Sequence, residues 1–163
     1  MVMMCQPVYD AVRAVEAMDE RPAVRLLMTP QGEPLGQRRV EWLAKQERLL
    51  MIAGHYEGID ERVIEELQPL ELSIGDFVLS GGELPAMLVV DAVVRLLPGA
   101  LGHEGSAAED SFAAPTEAGG PLLLDCPHFT RPREWQGRTV PDVLLSGDHA
   151  SIARWRDQQR LER

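Results

Sequence analysis

The spacing of apolar residues over the first hundred positions alternates between helical stripes and short buried runs. Helical spacing predicts helices over residues 7–18, 36–45, 59–67 and 83–97. Apolar runs predict strands at residues 23–28 and 48–53, and a third strand at residues 77–79. Strands separated by helices favour an α/β fold in which helices cover both faces of a mostly parallel sheet.

The pattern changes after position 98. Residues 99–120 show no periodicity and are interpreted as a mobile connector, because long loops of this kind are usually functional or disordered. Residues 121–147 are irregular and punctuated by proline. Ser146 or Asp148 can cap a final helix over residues 149–163, on which Arg154, Arg156 and Arg160 form a basic face.

Composition narrows the class of protein. The chain has 163 residues and 45% hydrophobic residues, enough for one domain with a real core. No stretch reaches the roughly 20 apolar residues that a membrane span needs, and no basic segment precedes an apolar one at the start. We therefore expect a cytoplasmic protein. Cys5 and Cys126 are far apart in sequence and are expected to be reduced.

The charge is unevenly distributed. The net charge of −10 argues against a generic nucleic-acid binder. After position 120, however, there are seven arginines and six acidic residues, whereas nine basic and twenty acidic residues precede that point. A surface that faces phosphate groups is therefore expected in the C-terminal part.

Three glycine-containing or proline-containing loops each follow a predicted strand, at residues 29–32, 54–60 and 80–85. In open parallel sheets, ligands bind at the carboxyl ends of the strands, and glycine lets a ligand approach the backbone closely. The loops indicate either a small-molecule site or three ordinary turns. None of them matches a Walker motif or a Gly-x-Gly-x-x-Gly fingerprint.

Two further features allow more than one interpretation. His55, Glu57, Asp60 and Glu61 could suggest a metal cluster, but acidic residues that open a helix suit its dipole, so no metal site is predicted. Arg95 lies in a strongly apolar helix. It is either a helix-end arginine that extends its charged head to solvent or a functional residue.

Five strings taken together resemble one family. They are GHYEGIDER at 54–62, SIGDFVLSGGELPA at 73–86, EDSF at 109–112, LLDCPHFTRP at 123–132 and VLLSG at 143–147. In this order they are similar to the bacterial tRNA (guanine-N1)-methyltransferases of the SPOUT class. The resemblance covers essentially the whole chain, and strings of this length are far more specific than a single short motif.

The resemblance implies a fold and an assembly. Residues 1–98 and 121–147 would form one domain with a C-terminal trefoil knot, which connection rules alone would not propose. Residues 99–120 would be the interdomain connector, and residues 148–163 the helical start of a C-terminal tRNA-binding domain. Members of the family are homodimers, with each active site built from both subunits.

The resemblance also implies the reaction, which is methyl transfer from S-adenosylmethionine to N1 of guanosine 37 of tRNA. Asp110 matches the general base, and Arg95 matches the residue near the guanine. We expect tRNA binding to order the connector around Asp110. The residues matched to the cofactor are Pro30, Gly54, Glu57, Ile74, Gly75, Asp76, Phe77, Val78, Leu79, Gly81, Gly82 and Pro85. Those matched to tRNA are His128, Arg131 and Arg154. Magnesium is also implied, although no cluster predicts its ligands.

The chain departs from the family pattern in two ways. The match begins inside the family's first domain and ends at the helix that opens the second, so we expect an incomplete domain with an unpaired sheet edge. His55 stands where arginine is common, and little consequence is expected. The alternatives are a related knotted methyltransferase for another RNA base, an inactive or RNA-binding fragment of the same fold, and a generic nucleotide-binding α/β protein.

Overall fold

The computed structural model describes residues 1–100, 102, 110–112 and 122–163. These residues fall into two compact units, Met1–Gly102 and His103–Arg163. Most of the predicted connector, residues 99–120, lies outside the described residues. The assignment of residues 121–147 to one knotted domain with residues 1–98 stays a prediction.

The first unit alternates helix and strand, which confirms the predicted α/β pattern. Its elements are α1 (Cys5–Glu16), β1 (Val24–Pro34), α2 (Gln37–Leu43), β2 (Leu49–Ala53), α3 (Glu61–Leu67), β3 (Leu70–Ser73) and α4 (Glu83–Val94). Asp60 caps α3 by accepting a hydrogen bond from the Arg62 amide at 3.1 Å, so the helix begins two residues after the predicted start at residue 59.

The three strands form a parallel sheet in the order β2-β1-β3. Alternate side chains of β1 enter two different cores, because successive residues of a strand point to opposite faces. Leu27 packs with residues of α1 and α3, whereas Leu26 and Met28 pack with residues of α2 and α4. The predicted placement of helices on both faces is therefore confirmed.

The third strand is not where the sequence predicts it. Residues 77–79 form no strand, and the third strand is β3, which pairs with β1 from Leu26↔Leu70 onwards. Gly75 has a φ of 147°, and the Phe77 amide donates to the Gly75 carbonyl at 3.0 Å, so the chain turns before residue 77. The apolar side chains of Phe77 and Val78 are exposed rather than packed in the sheet.

A close backbone approach shapes the end of β1. The pairing of β1 with β3 is interrupted after Met28 and resumes at Glu33↔Leu72. A Cβ atom on Gly32 would lie 2.4 Å from the backbone carbon of Glu71. Glycine is therefore required where the unpaired part of β1 passes close to the β3 backbone.

The second unit contains β4 (Glu134–Trp135), β5 (Arg138–Thr139), α5 (Asp142–Leu145) and α6 (His149–Leu161). The β4-β5 hairpin, which the sequence pattern did not predict, turns at Gln136 and Gly137, both with positive φ. Asp148 caps α6 by accepting hydrogen bonds from Ala150 and Ser151, as predicted. None of the helices in the described part of the chain has the length and apolar character needed to cross a membrane.

Candidate functional site

A cleft of about 560 Å³ opens at the carboxyl ends of the three parallel strands. Its walls come from residues 27–31 of β1, the segment after β2 and the segment between β3 and α4. These include parts of the three segments that the sequence analysis singled out, although residues 80–85 precede and open α4 and do not follow a strand at 77–79. Volumes of this order are typical of sites for small molecules and cofactors. The three segments therefore line one cleft within the first unit.

Two of the loops are joined directly by backbone contacts. The Gly82 amide donates to the Gly54 carbonyl at 2.9 Å, and His55 forms an isolated antiparallel bridge with Gly81. A Cβ on Gly82 would lie 2.7 Å from the Ala53 Cα. Only glycine lets the start of α4 approach the end of β2 this closely.

A contact between a histidine and a glutamate lies beside this junction. The His55 imidazole Nε2 contacts the Glu83 carboxylate, and both side chains are about half exposed. The backbone N–H of Glu83 and the contact with His55 hold the pKa of that carboxyl below its usual range. Gly81 lies between the two, because a Cβ there would meet Glu83 Oε2 at 2.4 Å and His55 Cε1 at 2.8 Å.

The residues predicted to hold the cofactor are brought together by the fold, with one exception. Asp76 is exposed and is not among the residues that line the cleft. The lining residues are Pro30, Gly54, Glu57, Ile74, Gly75, Phe77, Val78, Leu79, Gly81, Gly82 and Pro85. The lining also includes Tyr56, whose φ of 64° the sequence pattern did not indicate.

The two residues matched to the reaction lie in different units. Arg95 follows the last residue of α4 directly, and its side chain is exposed. Asp110 is also exposed and belongs to the described stretch 110–112 of the second unit. Their cooperation at one reacting base stays a prediction.

The Asp125 carboxylate contacts three other residues of the second unit. Its Oδ1 accepts from the Cys126 amide at 2.6 Å and from Arg160 Nη2 at 3.2 Å, and its Oδ2 lies 3.0 Å from His128 Nε2. Burial raises the pKa of Asp125, but these hydrogen bonds outweigh burial and leave it below the usual range. No pattern in the sequence indicated that the Asp125 carboxylate would contact His128, one of the residues matched to tRNA.

The other residues matched to tRNA are also accessible. Arg131 is exposed, and Arg154 on α6 donates from Nη2 to the Ser151 hydroxyl at 2.9 Å while remaining exposed. His128 and Arg131 border a second cavity of about 400 Å³. Phe129 and Trp155 also line it, with their ring centroids 6.2 Å apart. A basic rim around aromatic rings suits unpaired nucleotides.

The acidic residues of the site do not form a metal-binding group. Among the residues that the structure describes, no three His, Cys, Asp or Glu side chains come close enough together to hold an ion. The carboxylate of Asp60 is engaged by Arg62, whose guanidinium lowers the pKa of Asp60 to about 2. His55 is likewise engaged by Glu83.

Comparison with known proteins gives one consistent family. A family model described as tRNA (Guanine-1)-methyltransferase TrmD matches residues 1–163. The chain is 53% identical over 163 residues to a tRNA (guanine-N(1)-)-methyltransferase of Rhodopirellula baltica, covering 100% of this chain and 65% of that protein. It is 56% identical over 163 residues to the enzyme of that name from Chloroflexus aurantiacus, covering 100% of this chain and 61% of that protein. The chain thus spans about six tenths of the length of these relatives.

Proposed function

The chain belongs to the tRNA (guanine-1)-methyltransferase family, and on that basis we propose that it transfers a methyl group from S-adenosylmethionine to N1 of guanosine 37 in tRNA, next to the anticodon. The observation that carries the proposal is the convergence of the three loops on one cleft, in a chain whose whole length matches the family. The proposed active form is a knotted SPOUT domain formed by residues 1–98 and 121–147. Residues 99–120 would connect it to a tRNA-binding domain that begins at residue 148.

The lining of the cleft fits S-adenosylmethionine. The volume of about 560 Å³ suits a ligand of this size. Gly54, Gly75, Gly81 and Gly82 line it, so an adenosine and an amino-acid moiety could approach the backbone closely there. Apolar side chains from residues 77–79 would exclude water around the sulfonium. When bound, the cofactor supplies an electrophilic methyl group whose bonding electrons return to sulfur as the new bond to N1 forms.

The protein's own residues would make N1 reactive. Guanine N1 carries a proton and is a poor nucleophile until that proton leaves. The Asp110 carboxylate would accept this proton, and the electron pair of the broken N1–H bond would form the bond to the methyl carbon. While the proton leaves and before the methyl bond is complete, negative charge would develop mainly on O6, where the Arg95 guanidinium would stabilise it through a charge-assisted hydrogen bond.

The C-terminal part would hold the tRNA. His128, Arg131 and Arg154 are exposed there, in the part of the chain where basic residues outnumber acidic ones. Phosphate groups of the anticodon stem-loop would contact these side chains. Bases in the anticodon loop are unpaired or easily displaced, which makes the Watson–Crick edge of the target guanine accessible.

We also propose a homodimer that acts in the cytoplasm. The outer face of α4 exposes apolar side chains that a second copy would cover, among them Leu84, Met87, Leu88, Val90 and Val94. Each active site would then combine the cleft of one subunit with the Asp110 segment of the other. Magnesium is included in the proposal on the strength of the family resemblance, without assigned ligands.

The test is transfer of labelled methyl from S-adenosylmethionine to two tRNA transcripts, one with guanine and one with adenine after the anticodon. We expect label in the guanine transcript alone. Label in both would point to a related enzyme with a different base preference. Binding of cofactor and tRNA by a folded chain without any transfer would identify an inactive or RNA-binding fragment and would overturn the proposed activity.

A further inference from the structure

The turn that carries Asp110 is fixed to a neighbouring segment by two hydrogen bonds. The Ser111 hydroxyl accepts from the Asp125 amide at 2.9 Å, and the Phe112 amide donates to the Leu123 carbonyl at 2.7 Å. We call these two contacts the latch. Two bonds from adjacent residues to positions two apart fix the orientation of the turn as well as its location.

The backbone of the turn has a conformation that needs such support. Phe112 has a φ of 64°, in the left-handed region that a bulky aromatic residue rarely adopts. A residue of this kind persists there only where surrounding contacts determine the conformation. The latch supplies such contacts, because the Phe112 amide itself makes one of its two hydrogen bonds.

The residue on the other side of the latch is connected to the proposed tRNA surface. Asp125 uses its backbone N–H to bind Ser111 and its carboxylate to bind His128 and Arg160. Ser111 and the Asp125 backbone are both partly buried, whereas Asp110 is exposed. A short chain of contacts therefore joins the segment bearing the proposed base to the residues that would meet the RNA.

We propose that Ser111 is a positioning residue for Asp110. Its hydrogen bond holds the turn so that the Asp110 carboxylate has the distance and angle needed to take the N1 proton. This inference rests on the proposed function. Its physical basis is that a general base must come within hydrogen-bond reach of its proton, and that a misplacement of about 1 Å costs on the order of 100-fold in rate. Ser111 itself transfers no proton in this scheme.

The experiment compares Ser111→Ala, Ser111→Thr, Asp110→Asn and the double variant Asp110→Asn with Ser111→Ala in the 163-residue chain. Single-turnover methyl transfer to the guanine transcript gives the rate, and titration gives the affinities for S-adenosylmethionine and tRNA. Amide hydrogen exchange at Asp125, measured by NMR, reports directly on the latch. Ser146→Ala is the matched control, because Ser146 also uses its hydroxyl in a local hydrogen bond, to the Val143 carbonyl at 2.7 Å.

Ser111→Ala is expected to lower the rate by roughly 10- to 100-fold with unchanged affinities, and to speed exchange at the Asp125 amide. Ser111→Thr, which keeps the hydroxyl, should restore both. In the Asp110→Asn background, removing the Ser111 hydroxyl should change the rate less than about twofold, because the base that it positions is already absent.

Four results would overturn the inference separately. Unchanged exchange at Asp125 in Ser111→Ala would mean that the latch does not exist in solution. Full activity of Ser111→Ala with the latch lost would mean that Ser111 does not act through Asp110. The same conclusion would follow if the rate losses of the two single variants multiplied in the double variant. Absence of transfer by the unaltered chain, with the Asp125 amide protected, would instead overturn the proposed function and with it the role of Ser111.

Discussion

The His55 imidazole contacts the Glu83 carboxylate at the edge of the cleft and thereby connects the loop after β2 to the first residue of α4. Both side chains are about half exposed, so their contact contributes only modestly to holding these two segments together. We expect His55→Ala and Glu83→Gln to weaken binding of S-adenosylmethionine by roughly two- to fivefold. His55→Arg, which places a guanidinium beside Glu83, should bind as the unaltered chain does. Isothermal titration measures all three.

The pH dependence of this contact follows from the lowered pKa of Glu83. A carboxyl whose pKa is lower in the folded protein stabilises it above the ordinary value, 4.5 for glutamate, and loses that effect as the pH falls through the folded value. The free energy of unfolding, measured by denaturant titration, should therefore be constant above pH 4.5 as far as Glu83 is concerned, and fall below it. The part of the decrease that is absent in Glu83→Gln belongs to this pair. An identical decrease in both proteins would contradict the assignment.

The sequence predicted the layers of the first unit well, because burial leaves a clear signal in β1 and β2. Leu26, Leu27 and Met28 are all buried, so the run reads as a strand with both faces covered. The third strand was placed wrongly because residues 77–79 have the same apolar signal for another reason. Their side chains border the cleft instead of a sheet.

The sequence predicted which segments border the cleft but not which residues contact each other there. The glycines, prolines and family strings identified three segments of which parts border the cleft, as expected for a ligand site in such folds. The pair His55 and Glu83 is separated by 28 positions, and Ser111 and Asp125 by 14. Such contacts depend on how the loops and turns fold in three dimensions, which no local pattern of apolar residues records.

The close approach of Gly82 to the end of β2 predicts a steric block. In Gly82→Ala the new Cβ would lie 2.7 Å from the Ala53 Cα and 2.9 Å from the Gly54 nitrogen, both backbone atoms. The loops must then separate, so we expect a lower melting temperature and at least about tenfold weaker cofactor binding. Gly36→Ala is the matched control, because nothing lies within 4 Å of a Cβ there. Equal effects of the two variants would remove the steric explanation.

The apolar outer face of α4 predicts self-association. Met87 is 66% exposed and Leu88 45% exposed, on a helix whose other face is buried in the core. A stable dimer typically buries about 800 Å² per partner, so a charge placed here should disrupt it. We expect Met87→Glu to shift the mass measured by light scattering from dimer to monomer. Leu161→Glu, which alters an even more exposed apolar residue at the end of α6, should leave the dimer intact. A monomeric unaltered chain would refute the shared active site.

The roles assigned to Asp110 and Arg95 predict losses in rate without losses in binding. Asp110→Asn removes the proton acceptor and should lower the methyl-transfer rate by about 10²- to 10⁴-fold. Arg95→Met removes the cation proposed to stabilise O6 and should lower it by about 10²- to 10³-fold. Cofactor affinity should stay unchanged in both, because neither residue lines the cleft. Asp10→Asn and Arg38→Met provide controls at exposed positions of α1 and α2.

The choice of target base separates the two roles further. A transcript with inosine at the target position keeps the N1 proton and O6, so it should be methylated and should remain sensitive to both substitutions. If Asp110→Asn slowed the reaction only by weakening tRNA binding, saturating RNA would restore the rate, and the carboxylate could not be the base. If Arg95→Met lost rate equally on guanine and on 6-thioguanine, which keeps the N1 proton but has sulfur in place of O6, the guanidinium would act on something other than the developing oxyanion.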